Sequence, residues 1–127
     1  MASTPAFAST PKASAVVLAA TADTSRTSPT TVGTVFTAGS SGSRIDEVWV
    51  TAVGTTTAGQ VRLFLYNGTT YYLLREVLVA AVTPSASVSA FTQVVTFNNM
   101  VLPSGWSLRA TTNNAESFAV TALGGDF

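Results

Sequence analysis

The groups able to do acid–base chemistry in this 127-residue chain are few. Six carboxylates, Asp23, Asp46, Glu47, Glu76, Glu116 and Asp126, stand in a sequence with no histidine and no cysteine. Without histidine the usual general base and the commonest metal ligand are missing. Without thiolates as well, a zinc site has no ligands to build on. Serine is abundant, yet no Gly-x-Ser-x-Gly elbow occurs and no base stands ready to activate a hydroxyl. Phosphate-cradling and dinucleotide-binding glycine motifs are also missing. Asp46 and Glu47 are adjacent, so on a strand they point to opposite faces and cannot share a substrate. No other carboxylate pair is marked out for glycosidase work, and no oxygen-rich loop is spaced for calcium. The expectation is a protein that is not an enzyme and takes no metal or cofactor.

Binding chemistry is better represented. Trp49, Trp106, Tyr66, Tyr71 and Tyr72 could stack on sugar rings if exposed, as in a lectin-like carbohydrate-binding module. Both tryptophans fall in alternating apolar runs, which predicts core positions. The Tyr71-Tyr72 pair must place one ring on each face of its strand, so one is free for an interface. Asn67-Gly68-Thr69 matches a glycosylation sequon, but Asn-Gly between two strand-like runs is first of all a hairpin signal.

Charge narrows the choice of partners. Only 9% of residues are charged, six basic against six acidic, where soluble domains average about 25%. No basic field exists to hold nucleic acid or an anionic membrane. Apolar stretches such as Val77–Val82 are too short to span a bilayer, and the opening residues lack the pattern of a secretory signal. The Ser, Thr and Ala that take the place of charge make a surface that can be buried against protein without stranding ions. Assembly with other subunits, including copies of itself, is the expectation.

The elements that must position these residues are strands. Residues 1–14, with Pro5, Pro11 and a single large apolar residue, Phe7, read as an extended N-terminal arm with Phe7 as its anchor. Residues 15–127 read as one domain. Short β runs are expected at Ala15–Ala20, Thr31–Thr37, Arg44–Val53, Gln60–Tyr66, Tyr71–Val82, Ser87–Phe97, Trp106–Thr112 and Glu116–Leu123, separated by turn chemistry. The phase of the third run shifts after Asp46-Glu47, as a bulge would make it. No window keeps a 3.6-residue apolar period. About eight antiparallel strands in one small domain imply a β-sandwich, a jelly roll or related Greek key. Gly39 and Gly42 permit positive φ in the turn between the second and third runs. Arg44 and Asp46, two apart on one strand face, could pair across the sheet or with another subunit. Gly124-Gly125 would let the chain leave its last strand sharply, freeing Asp126 and Phe127 for a partner.

Several of these stretches also form recognisable motifs. Val35-Phe-Thr-Ala-Gly-Ser-Ser-Gly-Ser-Arg-Ile-Asp46, Gly59-Gln-Val-Arg-Leu-Phe-Leu-Tyr66, Leu102-Pro-Ser-Gly-Trp106 and Val120-Thr-Ala-Leu-Gly-Gly-Asp-Phe127 occur in order across most of the domain. Together they resemble small virion structural proteins of tailed bacteriophages, a group that includes β-sandwich capsid decoration (cement) proteins. The resemblance implies a protein made in the host cytoplasm that binds major capsid protein on the head surface as a homotrimer. A tail, baseplate or fibre-associated subunit is the alternative within the group. No catalytic residues carry over. Pro5, Phe7, Pro11, Arg44, Asp46, Tyr71 and Phe127 are the candidate partner-binding residues.

Overall fold

The computed structural model describes residues 9 to 127; Pro5 and Phe7 of the expected arm lie outside the described residues. Eight strands follow one another: β1 (Thr10–Val17), β2 (Gly33–Thr37), β3 (Ser43–Ala52), β4 (Gly59–Tyr66), β5 (Tyr71–Val79), β6 (Thr92–Leu102), β7 (Ser107–Thr112) and β8 (Phe118–Asp126). They form two four-stranded sheets, in the orders β1-β8-β3-β6 (sheet 1) and β2-β7-β4-β5 (sheet 2). Every paired neighbour is antiparallel. Only the β4–β5 hairpin stays within a sheet, and every other connection crosses between sheets. This is the eight-stranded jelly roll.

Alternation explains the core. In β4, Val61 and Leu63 point inward opposite Thr112 and Ala110 of β7. In sheet 1, Val48 and Val50 stand beside Ala122 and Val120 of β8, all fully buried. The expected bulge is present: the register of β3 slips between Ile45 and Glu47 against both neighbours, leaving Asp46 unpaired in the ladder. That extra residue lets Ile45 and Val48 both face inward. The hairpin signal is met by a loop of Asn67 to Thr70. The Asn67 side-chain oxygen accepts from the Thr69 and Thr70 amides at 2.9 and 2.7 Å, and Gly68 takes φ 101°.

Four expectations need correction. The expected arm does not extend to residue 14, because Thr10–Ser14 is already strand, with Pro11 opposite Gly125. β1 is an edge strand, where a residue without an N–H is tolerated. β6 runs Thr92–Leu102 rather than Ser87–Phe97. Residues 80–91 form an irregular connection, with bridges Thr56–Val82 and Ser85–Val88, and Asn98-Asn99 does not end the strand. Three residues, 97 to 99, are accommodated between the Thr96–Glu47 and Met100–Ile45 pairs, with Asn99 at φ 61°, a conformation asparagine tolerates. Gly124-Gly125 does not release the chain either, since β8 continues to Asp126. A Cβ on Gly124 would overlap the Arg44 carbonyl oxygen, so the glycine is needed for close approach beside the bulge. Finally, Gly42 has positive φ (86°) but Gly39 does not; a Cβ on Gly39 would crowd the Asp126 carboxylate instead.

Candidate interaction face

The two outer faces of the sandwich are treated differently by the chain. The face of sheet 2 is covered over β4 and β7, while Leu73 and Leu78 on its β5 edge stay exposed. The β1–β2 connection is tied to it where the Asp23 amide donates to the Thr112 carbonyl at 2.9 Å and Arg26 pairs with Glu76 at 2.7 Å. Beneath it lie Phe64 and Arg62, outward-facing on β4 yet buried. The Arg62 guanidinium donates to Glu76 (2.9 Å), Asn113 (3.0 Å), Gln60 (2.9 Å) and the Asp23 carbonyl (3.4 Å). Next to it, Arg109 stacks on Tyr66, 4.2 Å from the ring centre, and donates to the Tyr71 hydroxyl at 3.2 Å. Tyr71 is thus a partly buried member of this cluster, whereas Tyr72 is 49% exposed and stacks on Trp106. Thr111 is buried here, and its hydroxyl has no hydrogen-bond partner among the described residues. Thr111→Val, which keeps the shape and removes the unsatisfied group, should raise stability by about 1 kcal/mol, read as a higher urea midpoint at unchanged m-value.

Sheet 1 is open. Across β1, β8, β3 and β6 the register sets four outward rows: Pro11–Gly125–Arg44–Val101, Ala13–Leu123–Glu47–Thr96, Ala15–Thr121–Trp49–Val94 and Val17–Ala119–Thr51–Thr92. Gly125 is buried among its neighbours, but no connection among the described residues closes over the rest: Val17 is 63% exposed, Val101 54% and Trp49 40%. The exposure of Trp49 corrects the core placement expected from its apolar run. The bulge at Asp46 rephases β3 so that Val48 and Val50 face in and Trp49 faces out.

Only Arg44 and Glu47 among these sixteen positions are charged, and both are engaged within the chain. Arg44 pairs with the bulged Asp46 at 3.0 Å, so these two candidate partner residues meet each other. Glu47 accepts the Trp49 indole N–H at 3.0 Å. The face therefore presents mainly alanine, threonine, valine and one tryptophan, with both of its charged side chains bonded within the chain.

At one end of this face the C-terminus is tied down rather than free. Asp126 accepts from the Ser43 hydroxyl at 2.5 Å and from Lys12 at 3.3 Å, and the Phe127 amide donates to the Gly42 carbonyl at 3.1 Å. The Phe127 ring remains 40% exposed. The Ser43 hydrogen bond holds the Asp126 carboxyl below its ordinary pKa; partial burial opposes this and Lys12 reinforces it. The Arg26 hydrogen bond does the same for Glu76, against partial burial and with help from Arg62. At Asp23 burial pushes the other way, but amide donors from Thr31, Thr30 and Ser25 outweigh it.

All three folded-state values are depressed, so the stability they contribute is complete above the ordinary carboxylate range near pH 4. It is lost as pH falls through that range toward the lowered values. With no histidine to titrate, thermal melts should be flat from about pH 8 to 5 and fall steeply below about pH 4. A loss of stability between about pH 6 and 8 would contradict this assignment.

No group of three or more acidic, histidine or cysteine side chains among the described residues is placed to hold a metal ion. In comparisons with known proteins the chain matches no family model, no curated protein and no solved structure.

Proposed function

We propose that this chain is a structural subunit of a tailed-phage virion. In this reading it decorates the outer surface of the head as a cement protein, acting as a homo-oligomer for which the motif resemblance implies a trimer. The observation that carries the reading is the uncovered face of sheet 1. It is weakly polar, both of its charged side chains are bonded within the chain, and no loop among the described residues shields it. Such a surface is completed by another protein surface rather than by an ion, a nucleic acid or a small polar ligand. The ordered run of phage-like motifs supports the virion setting, and the partner in that setting is the major capsid protein. Repetition over the shell would let individually weak contacts hold collectively.

Co-sedimentation with purified expanded heads tests this. Saturable pelleting at micromolar protein is expected, and it should persist in about 0.5 M salt because few charges contribute. Absence of head binding together with localisation on tails would reject the head role and leave the tail or baseplate alternative.

The exposure of Trp49 favours a second reading, a carbohydrate-binding face in which the indole stacks on a sugar ring. A glycan array probed with the wild type and Trp49→Ala tests it; a silent array removes this reading.

A further inference from the structure

We infer that the sheet 1 face is the seat of a second copy of this chain, with the β3–β6 half of one copy resting on the β8–β1 half of the other. The inference deepens the proposed assembly role and rests on it for why copies meet.

Size is the first argument. Four strands about 4.8 Å apart, with some nine residues rising about 3.3 Å each, give a face of about 19 by 30 Å. In projection that approaches about 600 Å², and the relief of its side chains brings the accessible area near the ~800 Å² per partner of a standard stable interface. Largely apolar patches at the upper end of this range are unusual on monomers.

Charge is the second argument. Arg44 is neutralised by Asp46, and Glu47, which accepts the Trp49 indole N–H, is the one carboxylate of the face with no counter-ion among the described residues. An identical face adds only one such carboxylate, far fewer charges than an average protein surface would bring.

Relief is the third, and it chooses the register. The β3–β6 half carries Trp49, Arg44, Val94 and Val101, while the β8–β1 half carries mainly small residues, among them Ala15 and Ala119. A rotation axis parallel to the strands, passing between β8 and β3, sets β3 against β8 and β6 against β1 of the next copy while preserving the rows. Trp49 of one copy then faces Thr121 of the other, and Val94 faces Ala15. A raised half meets a low half, and this two-fold contact closes a dimer. Leu123, the one large side chain near the middle of the low half, falls opposite Glu47.

Sedimentation equilibrium of the full chain tests this. The wild type should self-associate with a Kd on the order of 10 µM or tighter. Trp49→Ala, which removes the knob, and Thr121→Trp, which fills the place it occupies, should each weaken association at least tenfold. Both positions lie on the outer face, and unchanged circular dichroism confirms that each variant folds. An equimolar mixture of the two variants should recover association, since Ala at 49 then meets Trp at 121. A wild type that stays monomeric at about 100 µM, variants that associate as the wild type does, or a mixture that fails to recover would each overturn the inference. A monomer whose Trp49 becomes accessible to a quencher only after deletion of residues 1–8 would seat the chain's own first residues there, and would overturn it too. Head binding of the same variants separates this failure from that of the proposed role. A monomer that coats heads through Trp49 ends the inference and keeps the role; an oligomer that never binds heads does the reverse.

Discussion

Gly124→Ala should destabilise the fold by about 3 kcal/mol or more, enough to leave a marginally stable domain partly unfolded. Gly124 lies opposite Ile45, beside the register slip at Asp46. There the β3 backbone comes so close that a Cβ on residue 124 would overlap the Arg44 carbonyl oxygen and crowd the Ile45 Cα. Both obstacles are backbone atoms, so no rotamer change relieves them. β8 can only move away from β3, and it carries β1 with it as the strand between them. The end of the strand pair that holds Ser43 to Asp126 opens, and with it the hydrogen bonds that order the C-terminus. Gly54 is the matched control: a Cβ placed there would meet no atom within 4 Å, and its φ is not positive. Gly54→Ala should stay within about 0.5 kcal/mol of wild type. Urea unfolding of both decides it. A loss under about 1 kcal/mol at Gly124 would mean that the sheet yields there and that the close approach is not a constraint.

The second large effect is expected at Arg62. The residue is 2% exposed and donates to four groups from three parts of the chain: Gln60 and Glu76 in sheet 2, Asn113 in the β7–β8 turn, and the Asp23 carbonyl in the covering connection. Arg62→Ala leaves a void and strands the Gln60, Asn113 and Asp23 acceptors, at a cost of about 3 kcal/mol. Glu76 contributes little of that, since it keeps Arg26 and is partly solvated. The loss should be felt first in the β1–β2 connection. Amide exchange at Thr30 and Thr31, whose N–H groups bond to Asp23 at 2.7 and 2.9 Å, should quicken before that of β4 or β7. Uniform quickening across the domain would instead make Arg62 part of the global core.

The two outer faces differ in how far they are legible in the residues alone. Strand number, the sandwich, the Asn67-Gly68 hairpin and the bulge at Asp46 follow from short-range signals: alternation, β-branched content and turn residues. Those signals do not say what covers a face. Arg62 and Phe64 alternate with Val61 and Leu63 as an outward pair should, and nothing local shows that a connection from β1 closes over them. Trp49 escapes a sequence reading for a related reason. Its immediate neighbours Val48 and Val50 are apolar as well, and only the exact position of the bulge decides which of them face in. The Gly-Gly pair near the C-terminus resembles an exit from the strand because close approach by another strand leaves no mark on its own sequence. The strand ends shift at Asn98-Asn99 and Pro11, where residues that commonly break strands are accommodated by a bulge and by an edge strand.

The central claim is that the sheet 1 face is covered by protein in an assembled virion. A cryo-EM map of the native particle tests it most directly. The account predicts many copies on the outer surface of the head, with Trp49 and Val101 buried against a neighbouring subunit. Copies confined to the tail, or copies on the head with the sheet 1 face open to solvent, would contradict it.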